Sequence, residues 1–438
     1  MTSPIRIAIV GAGVSGLAAA IELASTPSNR PLEITVFEER QTAGGRTRSF
    51  VEKVSGDTID NGQHLMMGCY TSTLSYLEHI SSAHLLRIEN PLSIPYFEKN
   101  TGYAGTLKVS SSLPIPSNLF FGIMQTDLLS SFEKFAALRF GRLVMSRKFD
   151  PLFAHKTCSE AFAITKQPET LVKKLWEPII LATLNTSISE ASAEVFLTTI
   201  RTIFLTERNY SAILIPTVGL SELLIDPAVA LLESKGHTVK LATKVTGLTH
   251  RDGKVTVEFE DHSESFDAAI IASSPTPDWA TVFGTNPMPS VRFSSIVNVY
   301  FWIDKQILEH PINGFIYTTL HWCFPKKTSY GKQLLACTVS AAGNLAELEL
   351  AEISRVIERD LRSSLPHSSF TILNSLVMKE KRATVVLDPP IQDTRPPLRT
   401  NIPSIAIASD LVQNGLPMTI EGAIRNGQQA ARHILSQY

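Results

Sequence analysis

Three glycines near the amino terminus, Gly11, Gly13 and Gly16, have the spacing of a turn that binds the phosphates of a dinucleotide. Gly11 permits a tight turn, Gly13 lets the backbone approach a pyrophosphate, and Gly16 lets the following helix pack closely against a strand. The free N–H groups and the positive dipole at the start of that helix attract phosphate. This turn therefore predicts that the chain binds a dinucleotide.

The elements that must position this turn are visible on both sides of it. The β-branched run 5–10 predicts a buried parallel strand, 17–24 predicts a helix, and 33–37 predicts a second strand. That strand stops at Glu38, which lies 22 residues after Gly16 and is placed to accept hydrogen bonds from a ribose hydroxyl pair. Glycines also cluster in ordinary turns, but the strand, helix and acidic residue together indicate a βαβ nucleotide unit.

Residues 38–46, with the sequence EERQTAGGR, carry a second signal. They resemble the signature of the flavoprotein group that contains amine oxidases, protoporphyrinogen oxidases and carotenoid desaturases. The resemblance implies FAD rather than NAD, with the paired glycines allowing a second backbone approach and Arg46 donating to the pyrophosphate or flavin. The alternative interpretation of Gly44 and Gly45 is a plain turn. Because no cysteine lies in the carboxy-terminal segment, we expect the FAD to be bound non-covalently.

The carboxy terminus resembles the second half of the same flavin site. A predicted strand at 404–408 ends at Asp410, with Ser409 in place of the family's usual glycine, and a helix opens near Thr419 and Ile420. The resemblance implies that Asp410 binds the ribityl chain or pyrophosphate, and that N–H groups near Thr419 stabilise negative charge on the reduced flavin. It also implies that Val245 contacts the adenine, although the pattern alone shows only a strand valine. The residues predicted to bind FAD are Gly11, Gly13, Ser15, Gly16, Glu38, Glu39, Arg40, Gly45, Arg46, Gln63, His64, Val245, Asp410, Thr419 and Ile420.

Four short motifs narrow the resemblance to one subfamily. DNGQH at 60–64, WEP at 176–178, LNT at 184–186 and ASA at 191–193 resemble the hydroxysqualene dehydroxylases, also called squalene-associated FAD-dependent desaturases. The likeness extends over nearly the whole chain, including LPMTIEG at 416–422. It implies reductive removal of an allylic hydroxyl from a long-chain isoprenoid alcohol, with a hydride from reduced FAD. Carotenoid-type desaturation is the alternative. Flavin amine oxidation is a weaker alternative, because the resemblance to amine oxidases would imply a lysine in residues 296–302 and aromatic residues in 414–417, and this chain has neither.

Loss of a hydroxyl needs a general acid, and His64 and Glu177 are the two candidates. The resemblance places the DNGQH segment beside the isoalloxazine ring, which favours His64. The alternatives are that His64 is a hydrogen-bonded core histidine and that Glu177 pairs with Lys173 or Lys174. The sequence leaves the choice of acid open.

Residues 114–148 are strongly apolar and also basic. Leu128, Phe132 and Phe135 have the i, i+4, i+7 spacing of one helical face. One interpretation is a pair of substrate-domain helices with an ordinary buried face. The other is a peripheral membrane-surface contact that admits the isoprenoid from the bilayer. The two interpretations are compatible.

Composition excludes several other classes. The net charge of −1 gives no field that favours nucleic acid, and the four cysteines are scattered without metal-ligand spacing. No window is apolar enough to span a membrane. Cysteine usage predicts a cytoplasmic location, with peripheral contact at the inner face of the cell membrane if residues 114–148 dock there.

We therefore expect an α/β fold with two domains. A discontinuous, Rossmann-like FAD-binding domain of the glutathione-reductase type is predicted at 1–75, 208–278 and 398–438. A mixed α+β substrate domain is predicted at 76–207 and 279–397, with strands at 294–302 and 333–340. Since the chain has a single GxGxxG motif, the electron donor that reduces FAD is not identified.

Overall fold

The computed structural model describes residues 3–109, 112–273 and 291–438. The predicted domain boundary at 278/279 lies outside these residues. Within them, helices and strands build two main sheets with helices around them, which confirms the predicted α/β class.

The first sheet has five parallel strands in the order β10-β2-β1-β14-β20. The five strands are β1 Ile5–Val10, β2 Leu32–Phe37, β10 Thr238–Lys240, β14 Ala268–Ile271 and β20 Ile405–Ile407. Strands β14 and β20 are apolar and buried along their whole length, as expected for a parallel sheet covered by helices. The sheet thus joins both ends of the chain, because β20 pairs with β14, which pairs with β1.

A three-stranded antiparallel sheet packs on the five-stranded sheet through Val255, Val257 and Phe266. It consists of β11 Gly247–Arg251, β12 Lys254–Glu258 and β13 Ser263–Phe266. The prediction that Val245 is a strand residue was wrong, since β11 begins only at Gly247. Val245 therefore lies in the loop before the strand.

The second main sheet has seven strands in the order β19-β15-β18-β17-β16-β7-β8. The predicted strands at 294–302 and 333–340 are confirmed as β15 and β18, which pair antiparallel. The seven strands are β7 Leu92–Glu98, β8 Gly102–Val109, β15 Phe293–Ile303, β16 Asn313–Ile316, β17 Trp322–Lys326, β18 Gln333–Val339 and β19 Ile372–Val385. Five short strands lie outside these three sheets: β3 Ser49–Val51, β4 Thr58–Asp60, β5 Met66–Met67, β6 Leu86–Glu89 and β9 Ile213–Pro216.

Fourteen α-helices occur in the described residues. They are α1 Val14–Ser25, α2 Thr71–His79, α3 Ser117–Gln125, α4 Ser131–Met145, α5 Asp150–Phe153, α6 Cys158–Ile164, α7 Glu169–Leu171, α8 Glu177–Leu184, α9 Ala193–Leu205, α10 Asp226–Ser234, α11 Gly343–Ala346, α12 Leu350–Ser364, α13 Pro389–Thr394 and α14 Ile420–Leu435. Two π-helical segments, Val172–Trp176 and Ser221–Ile225, lead directly into α8 and α10. Among the described residues, we find no helix that is both long enough and apolar enough to cross a bilayer.

Helices α3 and α4 do not bury the face that the sequence pattern suggested. Leu128 is buried but lies before α4, whereas Phe132 and Phe135 are 71% and 68% exposed. The buried face of α4 instead carries Ala136, Ala137, Phe140 and Val144. Periodicity alone could not tell which side of the helix meets the core.

Candidate active site

Residues from both main sheets line a single cavity of about 1450 Å³. It extends from the glycine turn after β1 to apolar side chains on β7, β8, α8 and α9. All the sequence-predicted site residues line it except Gly16 and Glu177. The fold thus gathers residues that are hundreds of positions apart in the sequence.

The glycine turn has the geometry that its spacing predicted. Gly11 has φ +107°, and a Cβ there would lie 2.9 Å from the carbonyl oxygen of Ala272. A Cβ on Gly16 would lie 2.0 Å from the Gly11 carbonyl oxygen, so this residue permits close packing without reaching the cavity. Around Gly13, in contrast, a Cβ would meet no atom within 4 Å. The backbone at Gly13 therefore borders open space, next to the start of α1, which no side chain caps.

Glu38 lies at the end of β2 and is buried beside this turn. Its Oε2 accepts a hydrogen bond from the Ala12 N–H at 3.0 Å, and its Oε1 accepts one from the Arg40 N–H at 3.1 Å. These bonds fix the carboxylate at the cavity wall with lone pairs to spare, as a ribose-binding acceptor requires.

Arg46 joins the two ends of the chain at the site. The preceding glycines, Gly44 and Gly45, have φ values of +110° and +58°, and the Gly44 N–H donates to the Ala12 carbonyl oxygen. The Arg46 guanidinium donates to Asp410 at 2.8 Å. The Asp410 carboxylate raises the pKa of Arg46. The two residues that the resemblance assigned separately to the cofactor thus form one ion pair at the cavity wall.

The carboxy-terminal half is held by further hydrogen bonds. The Ser15 hydroxyl lies 2.8 Å from the carbonyl oxygens of both Ala408 and Ala423, which ties α1 to β20 and α14. Thr419 is the N-cap of α14, where its Oγ1 accepts from the Gly422 N–H at 3.2 Å. Thr419 and Ile420 place the start of this helix at the cavity.

Sequence reasoning missed Arg395, which is buried behind the loop between β20 and α14. Its guanidinium donates to the carbonyl oxygens of Asp410, Leu411, Val412 and Leu416 at 2.9–3.0 Å. Burial lowers its pKa to about 10. A single arginine thereby fixes the shape of the loop that leads from β20 to α14, and no motif around residue 395 marks it.

His64 lies in the loop after β4 and lines the cavity. Its Nδ1 is 2.7 Å from the Gly62 carbonyl oxygen, which requires the proton on Nδ1 and leaves the Nε2 lone pair free. Burial lowers the pKa of His64 below its ordinary value, and the Gly62 carbonyl and Asp60 oppose this shift. The lowered pKa favours the neutral imidazole of His64 at pH 7. The Oε1 of neighbouring Gln63 is buried and accepts no hydrogen bond in the described part of the chain.

Glu177 is not brought to the cavity. Its carboxylate forms an ion pair with Lys173 at 2.9 Å, one helical turn earlier, and it is the later residues Ile179, Ala182 and Thr183 that line the cavity wall. This position does not support the predicted role of proton donor. The described residues also contain no cluster of histidine, cysteine and acidic side chains that could hold a metal ion.

The residues that the sequence did not single out include Asn298, Thr338, Trp322 and Tyr96, which line the cavity from the seven-stranded sheet. Asn298 is an amide in the middle of an apolar strand, and this was the one signal that could have found it. Its partners come from other strands, so no local pattern reveals them.

Comparison with known proteins places this geometry in a family. The flavin containing amine oxidoreductase family model matches residues 14–435. The chain is 29% identical to a hydroxysqualene dehydroxylase from Sinorhizobium fredii, with 99% of both chains covered. It is 26% identical to one from Zymomonas mobilis, with 98% of both covered.

More distant relatives have related names. A 15-cis-phytoene desaturase from Solanum lycopersicum is 22% identical, with 100% of this chain and 79% of the relative covered. Among solved structures, an oxidoreductase from Methanosarcina mazei superposes with a TM-score of 0.70 at 16% identity, covering 98% of this chain and all of the other. The family match covers almost the whole chain and includes all the predicted cofactor-site residues except Gly11 and Gly13. This chain belongs to the flavin containing amine oxidoreductases and is a flavin-dependent oxidoreductase.

Proposed function

We propose that the protein binds FAD non-covalently and uses the reduced flavin to convert hydroxysqualene to squalene and water. The observation that carries this proposal is the cavity, which joins a dinucleotide-type cleft to a long apolar region. That region includes Leu92, Ile94, Leu107, Ile179, Ile203 and Phe204. The similarity to hydroxysqualene dehydroxylases over the full chain supports the same substrate class.

The residues present fit FAD. Open space borders Gly13, the start of α1 is free of a side-chain cap, and Glu38 is held where a ribose would need an acceptor. The buried Oε1 of Gln63 lacks a donor, and a bound cofactor with N–H or O–H groups can supply one. Arg46 lines the same cavity while it is paired with Asp410, which supports a role as a donor to the cofactor.

The proposed reaction replaces the hydroxyl group of the substrate with hydrogen. The C–O bond of the allylic alcohol breaks with its electron pair on oxygen, and one proton converts the departing hydroxyl to water. Bound in this cavity in its reduced form, FAD would provide the hydride for the new C–H bond and would thereby be oxidised. The apolar side chains exclude water from the allylic cation until the hydride arrives.

Within this proposal, His64 holds the proton for the departing hydroxyl at Nε2. Because burial lowers its pKa, His64 must take up that proton from solvent before each turnover, or gain it when substrate and cofactor change the local charge. Its hydrogen bond to Gly62 keeps the ring orientation fixed in both protonation states. Glu177 is too well paired on its own helix to share this role.

One observation favours a second candidate, desaturation of an isoprenoid hydrocarbon by oxidised FAD. A neutral His64 with a free Nε2 can accept a proton, as a desaturase base would, and phytoene desaturases are among the relatives. The two reactions differ in the flavin redox state that they consume.

Anaerobic incubation separates the candidates. Photoreduced enzyme mixed with hydroxysqualene should reoxidise its flavin and yield squalene. Oxidised enzyme mixed with squalene or phytoene should stay oxidised. Reduction of the flavin by a hydrocarbon, without reoxidation by the alcohol, would instead establish the desaturase.

We also propose a peripheral membrane contact through residues 114–148. An exposed apolar face, named here the aromatic face, comprises Phe120, Phe121, Met124, Phe132 and Phe135 on α3 and α4. The same stretch carries five basic and two acidic residues, which suits an anionic bilayer surface. Such a contact would let an isoprenoid alcohol leave the membrane without crossing water.

A further inference from the structure

Five residues stand in direct register across the seven-stranded sheet. Asn298 on β15 faces Thr338 on β18, which faces Trp322 on β17. Trp322 faces Gly314 on β16, which faces Tyr96 on β7. Since directly opposed residues on paired strands point to the same side of a sheet, this row forms one line. Its four side chains all line the cavity.

The missing side chain of Gly314 makes the row continuous. A Cβ at Gly314 would lie 2.5 Å from the Tyr96 ring and 3.2 Å from the Trp322 ring. Without it, the two rings approach with their centroids 6.0 Å apart. The row thus places side chains that carry hydrogen-bonding groups in one line along the cavity wall.

Asn298 ends this line beside His64. A Cβ on Gly62 would meet the Nδ2 of Asn298 at 3.1 Å and the Cε1 of His64 at 3.7 Å. The amide and the imidazole therefore flank the same backbone position in the loop that bears the DNGQH motif.

The orientation of the Asn298 amide is determined by its neighbours. Its Oδ1 accepts a hydrogen bond from the Thr338 hydroxyl at 2.8 Å. The backbone N–H of Gln63, which can only donate, points at the same oxygen from 3.5 Å. Nδ2 consequently carries the free N–H groups, and within the described ranges it has no acceptor although Asn298 is only 1% exposed.

We propose that Asn298 binds the hydroxyl of the substrate, with Nδ2 donating to the oxygen that His64 protonates. This inference rests on the proposed dehydroxylation and adds the group that distinguishes an alcohol from a hydrocarbon. A buried donor without a partner disfavours a substrate that brings no acceptor, so the same N–H selects for the alcohol. Thr338 acts as a positioning residue, because it holds the amide in the orientation that presents Nδ2.

The test compares the affinities of hydroxysqualene and squalene, measured by perturbation of the oxidised flavin spectrum. Asn298→Leu should weaken hydroxysqualene binding about tenfold, the effect of one hydrogen bond of roughly 1–1.5 kcal/mol, and leave squalene binding unchanged. Thr338→Val should reduce the preference for the alcohol by a smaller factor, while the flavin content stays at that of wild type. This second variant keeps the inference testable if Asn298→Leu fails to fold.

Thr183→Val is the matched control. Thr183 also lines the cavity, but its hydroxyl donates to the Ile179 carbonyl oxygen of its own helix. This variant should keep the wild-type preference for the alcohol. Trp322→Phe tests the rival position, since the indole Nε1 is also buried without an acceptor in the ranges that the structure covers.

The outcomes are distinct. The proposal would be overturned if Trp322→Phe lost the preference for the alcohol while Asn298→Leu kept it. The substrate hydroxyl would then bind at Trp322, two strands and roughly 10 Å from Asn298. Equal weakening of both ligands in Asn298→Leu would also overturn it, because a purely structural role does that. If wild type itself shows no preference for the alcohol and is reduced by hydrocarbons, the proposed function fails first and the inference falls with it.

Discussion

Gly13 and Gly16 stand three residues apart in the same turn, yet a side chain would meet different surroundings at each. At Gly16 it would enter the Gly11 backbone, whereas at Gly13 it would enter only the open cavity. Gly13 has φ −72° and ψ 172°, a conformation that any residue adopts. We therefore expect Gly16 to be required for the packing of the fold and Gly13 to be required only for cofactor binding.

Gly13→Val should accordingly leave the protein folded and remove its flavin. The purified variant should have the apoprotein's melting temperature, with little or no bound flavin in its absorption spectrum, because the side chain occupies the pyrophosphate space. Gly16→Val is the contrasting variant and should lower the melting temperature itself. A yellow Gly13→Val protein with one flavin per chain would show that the cofactor lies elsewhere.

His64 gives the proposed reaction a defined pH dependence. Its pKa is lowered by burial, so the protonated form accumulates only below the ordinary histidine value of about 6.5. Flavin reoxidation by hydroxysqualene should therefore accelerate as pH falls from about 8 to about 5.5. His64→Ala should lose this dependence and react roughly 10²–10⁴-fold more slowly, while it still binds flavin.

Glu177→Gln provides the control for this experiment, because the Glu177 carboxylate pairs with Lys173 outside the cavity wall. It should react at the wild-type rate across the pH range. Stalled turnover in Glu177→Gln, together with normal turnover in His64→Ala, would assign the proton to Glu177.

At the scale of elements, helix α4 presents two distinct faces. Phe132, Phe135 and Arg142 lie on its exposed side, and Arg142 has no partner in the described part of the chain. Arg139 is exposed too but donates to the carbonyl oxygens of Thr165 and Lys166, so it also has a structural role. Aromatic residues followed by a free arginine suit the interface of an anionic bilayer.

Replacing Phe132 and Phe135 together by serine should reduce co-sedimentation with anionic vesicles, because each exposed ring contributes roughly 1.5–3 kcal/mol when fully buried. Arg142→Glu combined with Arg147→Glu should weaken binding mainly at low salt. Leu350→Ser, which alters an exposed apolar residue on α12, is the matched control. Unchanged sedimentation of the double phenylalanine variant would contradict a membrane contact through the aromatic face.

Several helices and strands could be predicted from the sequence. The strands β1, β2, β15 and β18 and the glycine turn follow from local patterns, because apolar runs and glycine spacing are properties of neighbouring residues. The row from Asn298 to Tyr96 could not be predicted, since its register depends on pairing between distant strands. For a related reason the sequence left open whether Phe132 and Phe135 are buried or exposed: periodicity identifies a stripe but not the neighbour that covers it. The pairing of Glu177 with Lys173 was foreseen as an alternative, and only the fold could place it away from the cavity.

At the scale of the whole molecule, Arg46 and Asp410 link the amino-terminal and carboxy-terminal halves of the proposed flavin site. Arg46 is 46% exposed at its side chain and Asp410 only 10%, so the pair contributes modestly to folding and mainly fixes the cavity wall.

Asp410→Asn should therefore lower the stability of the apoprotein by no more than about 1 kcal/mol, yet weaken flavin binding by roughly tenfold as Arg46 loses its fixed position. Thermal unfolding of apoprotein and a flavin titration measure the two effects separately. Lys381→Met, which removes an exposed ion pair with Glu347, should change neither. A large loss of apoprotein stability with unaltered flavin affinity would mean that the pair serves the fold alone.

The distance along the chain between these partners has a consequence for how the protein is made. Arg46 and Asp410 are 364 residues apart, and the site is complete only after β20, Asp410 and α14 have all been synthesised. At about 5–20 residues per second, a ribosome needs roughly 20–70 s to cover that interval. During this time the nascent chain exposes half of a flavin cleft and an uncovered edge of β14. We therefore expect flavin to load only after β20 and α14 have been synthesised, and stalled chains ending before residue 400 should emerge without flavin.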